Sequence, residues 1–338
     1  MKSVTHGVRL TIAPRCGATR HALTPYGRTD YGRAPMIRAN VCIATSLLLC
    51  ACDLGEFTVN TTTPVLARAA EEFGKESDVT LAREAVGGQL KTADGFLASA
   101  PKNRQLLAIV ARGYFEYTFG FVEDELEAMP DDETHHAARE ATSARATMFY
   151  DRARGYAMRN LATFGHDVDG ASKKDVTSFE ALLGKLPRAA APGLVYGGMA
   201  WASAINLNRS DITRVAELGR ALAMVKRAYA LDPTFYNGAA AMTLGLASAS
   251  QAKALGGDPV AAKKYFDEVV NLTGGKYLLA KLLEARFYAV QIQDRALYDQ
   301  LLHDVVSAPT DIMPSQRLAN ELAKRKAARY LAQADDFF

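Results

Sequence analysis

The sequence predicts an all-α protein of antiparallel helical hairpins stacked in an array, on three observations. From about Thr80 onward, apolar residues recur at the 3.6-residue period of a helix buried on one face. No run shows sustained period-two alternation bounded by hairpin turns, so essentially no sheet is expected. The chain also repeats itself. Ala221, Val225, Ala228, Leu231 and Pro233 fall at offsets 0, 4, 7, 10 and 12, and Ala262, Phe266, Val269 and Leu272 return at the same offsets 41 residues later, with Gly274 in the place of the proline. Leu297, Leu301 and Pro309 keep the register weakly. Upstream, Pro101 followed by Leu107, Val110, Ala111 and Tyr114 reads as the first helix of an earlier unit. Small residues at such positions let paired helices approach, and large ones fill the gap to the next pair.

These offsets resemble those of a tetratricopeptide repeat, although intervals of 41 and 35 residues depart from the strict 34 of that repeat. Any antiparallel bundle of amphipathic helices produces related spacings, so the array rests on the repetition rather than on one unit.

Taken in order, residues 1–35 carry scattered Arg, Gly and Pro without apolar periodicity, and read as a mis-assigned upstream extension ahead of a start at Met36. Residues 36–51 read as a lipoprotein signal peptide. Arg38 supplies its positive end, and the apolar run Val41 to Leu49 is too short to cross a bilayer but fits the core of a secretory signal. Leu49-Cys50-Ala51-Cys52 resembles a lipobox, and the small Ala51 makes Cys52 the lipid anchor rather than Cys50. Asp53 after the anchor favours retention at the inner membrane. Residues 52–338 then form a single all-helical domain, periplasmic and held to the envelope membrane by its N-terminal lipid.

Within that domain Met129 to Glu140, with Pro130 and a charge cluster, is a loop or a lengthened helix start. The polar stretch Gly165 to Lys174 is the main internal break. Asp211 caps a helix whose stripe is Ile212, Val215, Leu218, Leu222, Val225 and Tyr229. Asp258-Pro259 starts the next helix and Gly274-Gly275 ends it. Leu278, Leu282, Ala285, Ala289 and Ile292 form another stripe, and Ser315 caps a last helix running to about Asp335.

Charge follows the cut. The whole chain has 40 Lys and Arg against 37 Asp and Glu, but seven of the bases and one acid precede Cys52. The remaining 33 bases and 36 acids give a net charge of −3, without the basic footprint of a nucleic-acid binder. Cys52 is the one cysteine left, so no internal disulfide can form and the 287 remaining residues must hold together by burial.

The nearest thing to a site is the aromatic helix Gly113 to Glu125. Tyr114, Phe115, Tyr117, Phe119 and Phe121 cover more than one of its faces, so it is buried all round or walls a cleft. Tyr196 and Trp201, beside Gly197 and Gly198, form a second aromatic point, as a packing knob or a ligand wall. Catalytic signals are thin, and no enzymatic activity or cofactor is expected. Phosphate loops, dinucleotide fingerprints and nucleophile elbows are absent, and the paired acids sit on polar faces. His136 and Glu140 lie one helical turn apart, but a metal site needs three or four converging ligands, so none is expected.

The ordered series of lipobox, aromatic helix, Tyr150 to Tyr156, Tyr196 through Trp201 to Asn206, Ala254 to Pro259, Gln316 to Asn320 and the acidic-aromatic end Asp335-Asp336-Phe337-Phe338 resembles the TatT component family of TRAP transporters over nearly the whole processed chain. The resemblance implies a repeat-like periplasmic lipoprotein that assembles as a homotrimer. It also implies docking to the solute-binding (P) component of a tripartite ATP-independent transporter, and an apolar cleft that holds or passes a hydrophobic ligand. A repeat-built scaffold for an envelope assembly complex, presenting a concave surface to peptides, is the alternative.

If Cys52 carries the lipid, Cys52→Ser releases the protein from membranes and abolishes palmitate labelling, read by fractionation and metabolic labelling. Label persisting in the variant refutes the assignment.

Overall fold

In the computed structural model, which describes residues 54–250 and 257–338, helix is the only regular structure. The upstream extension, the signal peptide and Cys52 lie outside the described residues, as do Ala254 to Gly256 of the family-like series. The first hairpin is α1 (Leu54–Phe73) and α2 (Val79–Ser99). Next, α3 (Arg104–Tyr117) passes through a π-helical turn, Thr118–Val122, into α4 (Glu123–Ala128), and α5 (His136–Ala162) packs back along α3. The short α6 (Val168–Ser172) and α7 (Val176–Leu183) lead to α8 (Ala191–Leu207). After α9 (Ile212–Val215) come α10 (Leu218–Leu231), α11 (Phe235–Ala249) and α12 (Pro259–Thr273). Then α13 (Leu278–Leu283) continues as a second π segment, Glu284–Ala289, followed by α14 (Arg295–Ser307) and α15 (Arg317–Ala332).

Local chemistry starts these helices where short polar side chains satisfy free amides. Asp78 accepts from the Thr80 and Leu81 amides, Asn103 from Leu106, and Asp258 from Val260 and Ala261, with Pro259 at the first helical position. Gly274 ends α12 in the left-handed conformation, at φ 59°. Asn103 also joins α1 to α3, its amide nitrogen donating to Asn60 Oδ1 and Thr63 Oγ1, both at 2.8 Å.

The stack is closest around α8, which is buried on nearly all sides between α5 and α10. Its glycines permit this. A Cβ at Gly198 would stand 2.9 Å from the Ala221 carbonyl oxygen and 2.6 Å from a Val225 methyl, and one at Gly197 would stand 2.7 Å from the Met224 methyl. The facing residues Ala153, Ala157 and Ala221 are small and fully buried. Most of the repeated offsets are buried, Leu107, Val110, Ala111, Ala221, Val225, Ala228, Ala262, Phe266 and Val269 among them, but the last apolar position is not: Leu231 is half-buried and Leu272 is exposed.

The array does not remain open. Its last helix, α15, packs against α2, the Leu318 amide donates to the Gly74 carbonyl at 3.1 Å, and Arg317 donates to the Lys75 carbonyl. Farther along α15, Lys326 and Arg329 meet Asp124 and Glu127 of α4. Arg329 Nη2 lies 2.8 Å from each carboxylate, Lys326 Nζ lies 3.1 Å from Glu127, and the Tyr330 hydroxyl donates to Glu127 at 2.9 Å. Burial alone would raise the Glu127 carboxyl, but Lys326, Tyr330 and Arg329 outweigh it and hold it below its ordinary value. Among the described residues, no helix is long and apolar enough to cross a membrane.

Further details differ from the sequence reading. Ile292, expected at the end of a buried stripe, lies in a turn and is exposed. The stripe after Asp211 is broken at Ala216 and Glu217, so Ile212 and Val215 sit on the separate α9 and face solvent. In α14 the buried positions are Tyr298, Leu302 and Val305, and Leu297 and Leu301 pack only at the margin, one position out of the repeat register. Ser315 does not cap the last helix. Residues Pro314–Gln316 form a 3-10 turn, and α15 begins after Gln316 without a side-chain cap.

Gly198→Ala forces a methyl group against backbone and is expected to destabilise the protein by about 1–3 kcal/mol. Gly155, in α5, has nothing within 4 Å of its Cβ position, and Gly155→Ala is expected to stabilise by about 0.5–1 kcal/mol through helix propensity alone. Chemical denaturation of the two variants checks the pair, and equal effects would remove the close-approach account of α8.

Candidate functional site

The stack walls a partly open cavity of about 1340 Å³, lined by residues from Leu66 of α1 to Lys326 of α15. That exceeds the range of about 300–1,000 Å³ typical of small-molecule pockets. The wall is mainly apolar and aromatic. Phe115, Tyr117, Phe119 and Phe121 come from α3 and the π turn, Tyr196 and Met199 from α8, and Phe287 from the second π segment. Phe115 stacks on Phe119 with ring centres 6.0 Å apart, and Tyr117 tilts against Phe121 at the same separation.

Backbone irregularities gather on this wall. Both π segments contribute to it, and such segments, uncommon in helices, turn side chains away from the 3.6-residue register. At the start of α11, Tyr236, Asn237 and Gly238 have φ of 45°, 57° and 76°. For Tyr236 this left-handed conformation costs about 1–2 kcal/mol. The contacts of its ring hold it there: the Arg112 guanidinium lies 4.1 Å above the ring centre and donates to the hydroxyl, and the Tyr196 ring crosses it edge-on at 5.9 Å.

Arg112, Glu116, Tyr196, Tyr236 and Tyr277 thereby form one polar pole in the wall. Arg112 Nε donates to Glu116 Oε1 at 2.9 Å. Burial works against the Arg112 charge, but Glu116 and the Tyr196 and Tyr236 hydroxyls outweigh it, and the guanidinium titrates above its ordinary value. Tyr196 is buried, and its hydroxyl has no hydrogen-bond partner among the described residues. Burial, then Glu116, raise its pKa well above the ordinary phenol value, and Tyr277 is pushed up for the same two reasons.

Five of the seven aromatic residues singled out from the sequence line the cavity: Phe115, Tyr117, Phe119, Phe121 and Tyr196. Two do not. Tyr114 turns to the other side of α3, where its hydroxyl donates to Asp94 at 2.7 Å and its ring stacks on Tyr156. Burial would raise Asp94, but hydrogen bonds from Lys91, Tyr156 and Tyr114 outweigh it and keep the carboxyl below its ordinary value. Trp201 is a packing knob. Its indole donates to Glu217 at 2.8 Å, Arg154 lies 3.5 Å over the ring, and Phe179 meets it edge-on. Sequence reasoning missed Arg112, Glu116, Tyr236 and Tyr277. The i,i+4 spacing of Arg112 and Glu116 looks like a solvated helix pair, and Tyr236 reaches them from 124 residues away. Among the described residues no three His, Cys, Asp or Glu side chains converge as a metal site, and His136 and Glu140 stand exposed 3.8 Å apart.

Glu123, also on the wall, accepts a hydrogen bond from the buried Tyr150 hydroxyl. Burial raises its pKa above the ordinary carboxyl value, against the opposing pull of Tyr150 and Lys326. A carboxyl with a raised folded-state pKa contributes stability that is present at low pH and lost as pH rises through that pKa. Glu123→Gln keeps the hydrogen-bond acceptor without the charge, and is expected to raise Tm at pH 8, with the gain shrinking to nothing near pH 4. Thermal melts across that range test it, and a Tm gain that does not depend on pH would refute the burial account.

The model of the TRAP transporter T-component family (TAtT) matches residues 75–338. An uncharacterized protein of Treponema pallidum (strain Nichols) is 24% identical over 323 residues, covering 90% of this chain and 98% of that protein. The matched span begins at the end of α1 and takes in α2 to α15, and with them both π segments and the Arg112 pole. By that match, over an all-helical stack closed around an aromatic cavity, the chain belongs to the TRAP transporter T-component family.

Proposed function

We propose that this protein is the membrane-anchored periplasmic lipoprotein of a TRAP-type transport system, which docks the solute-binding component and holds or passes a hydrophobic small ligand in its central cavity. The cavity carries this reading. Its volume of about 1340 Å³ and its aromatic wall suit an apolar molecule, and family membership supplies the transport context. A lipid on Cys52 would fasten the chain to the envelope ahead of α1, and the homotrimer and the P-component contact are proposed on the family resemblance alone. The role is binding and transfer rather than catalysis: the buried acids Glu123 and Glu127 are engaged with Tyr150, Lys326 and Arg329 rather than poised beside a nucleophile. A peptide scaffold needs an open concave face, and the return of α15 onto α2 and α4 argues against that alternative.

Protein purified without detergent, extracted with organic solvent and analysed by mass spectrometry, is expected to yield an apolar ligand. Phe119 is only partly buried at the π turn and lines the cavity. Phe119→Ala should at least halve ligand occupancy with little change in Tm. Phe115 is 6% exposed and packs on Tyr150 and Tyr196, so Phe115→Ala should cost about 3–5 kcal/mol of stability. Unchanged occupancy in Phe119→Ala, or a cavity that takes up no apolar molecule, would leave only the docking role.

A further inference from the structure

The polar pole of the cavity has a chemistry that limits what its ligand carries. Its one cation, Arg112, already faces the Glu116 carboxylate at 2.9 Å and donates to the Tyr236 hydroxyl, so its charge is matched within the wall. Beside this neutral pair stands Tyr196, its hydroxyl buried and without a hydrogen-bond partner among the described residues, and Tyr277 lines the same cavity. A buried hydroxyl without a partner is unfavourable, and both Tyr196 and Tyr277 are among the residues that wall the cavity. A carboxylate placed here would add a negative charge that the matched Arg112 and Glu116 pair does not compensate, against a mainly apolar wall, which is unfavourable. An uncharged hydroxyl or carbonyl accepts a bond from Tyr196 and adds no charge.

We propose that Arg112, Glu116, Tyr196 and Tyr277 form a charge-neutral head-group subsite that selects an amphiphile with an uncharged hydrogen-bonding head, an alcohol or ketone on an apolar body, over the matching acid. The proposal rests on the cavity being a ligand site. It differs from that reading in naming the polar end of the ligand and the residues that meet it.

The test uses the full chain purified without detergent and loaded with the neutral fluorophore N-phenyl-1-naphthylamine, displaced at pH 8 by dodecanol, dodecanoate or dodecane. Wild type is expected to bind dodecanol more tightly than either of the others. Tyr196→Phe should weaken dodecanol by about five- to tenfold, the worth of one net hydrogen bond, and leave dodecane unchanged. Removing an unpartnered hydroxyl should not lower Tm, so a folding defect does not imitate the result. Glu116→Gln leaves Arg112 unbalanced and should improve dodecanoate binding relative to dodecanol. The head-group proposal fails, with the cavity reading intact, if the fluorophore binds but dodecanoate competes best in wild type, or if Tyr196→Phe treats dodecanol and dodecane alike. If the fluorophore does not bind at all, both fail.

Discussion

The rest of the structure depends on the neutral cluster that joins the last helix to the fourth. A stack of helical hairpins ordinarily ends in two free faces. Here Lys326 and Arg329 of α15 meet Asp124 and Glu127 of α4, two cations against two carboxylates, with Tyr330 supplying a further hydrogen bond. Lys326 is 3% exposed, and a cation buried that deeply is tolerable because two carboxylates face it, Glu127 hydrogen-bonded at 3.1 Å and Asp124 at 3.9 Å. The cluster also reaches the cavity: Lys326 lies 5.0 Å from the centre of the Phe119 ring. What closes the array and what walls the cavity are therefore neighbouring residues.

Around this closure the chain is regular where it packs and irregular where it lines the cavity. α8 approaches α5 and α10 through glycine and alanine, and a methyl group at Gly198 would not fit there. The two π segments and the left-handed turn at Tyr236 instead lie on the cavity wall. Deviations of this kind cost free energy, and they persist where surrounding contacts over-determine them. At Tyr236 those contacts are Arg112 and Tyr196, the same residues that make the polar pole.

The helical class and the buried stripes were legible because burial of one helix face imposes its period directly on residues such as Leu107, Val110, Phe266 and Val269. The wall was legible in part. Aromatic residues on several faces of one helix announced an unusual environment, but period alone could not say which face met the cavity. Tyr114 and Phe115 are neighbours in sequence, and one turns to Asp94 while the other turns to the cavity. The π turn at Thr118–Val122 adds a residue to the helix and rotates the side chains beyond it by about 100°, which no fixed period anticipates. Glu217 shows the opposite failure. An unbroken stripe from Ile212 to Tyr229 hid a helix break at that residue, whose carboxylate holds the Trp201 indole. The Arg112 and Tyr236 pair was illegible because nothing local marks a contact across 124 residues.

The wide sequence separation of the closing contacts also has a bearing on how the molecule is made. Lys326 and Glu127 are 199 residues apart, Arg329 and Asp124 205, and Arg317 and Lys75 242. Contacts of such range slow folding, because the closure entropy of the loop is lost before the contact forms. At a synthesis rate of about 5–20 residues per second, some 10–40 s separate the appearance of α4 from that of α15. Through that interval Asp124 and Glu127 lack their partners on α15 and the aromatic wall lacks the side that α15 supplies, so the nascent chain presents water with surface that the finished protein covers.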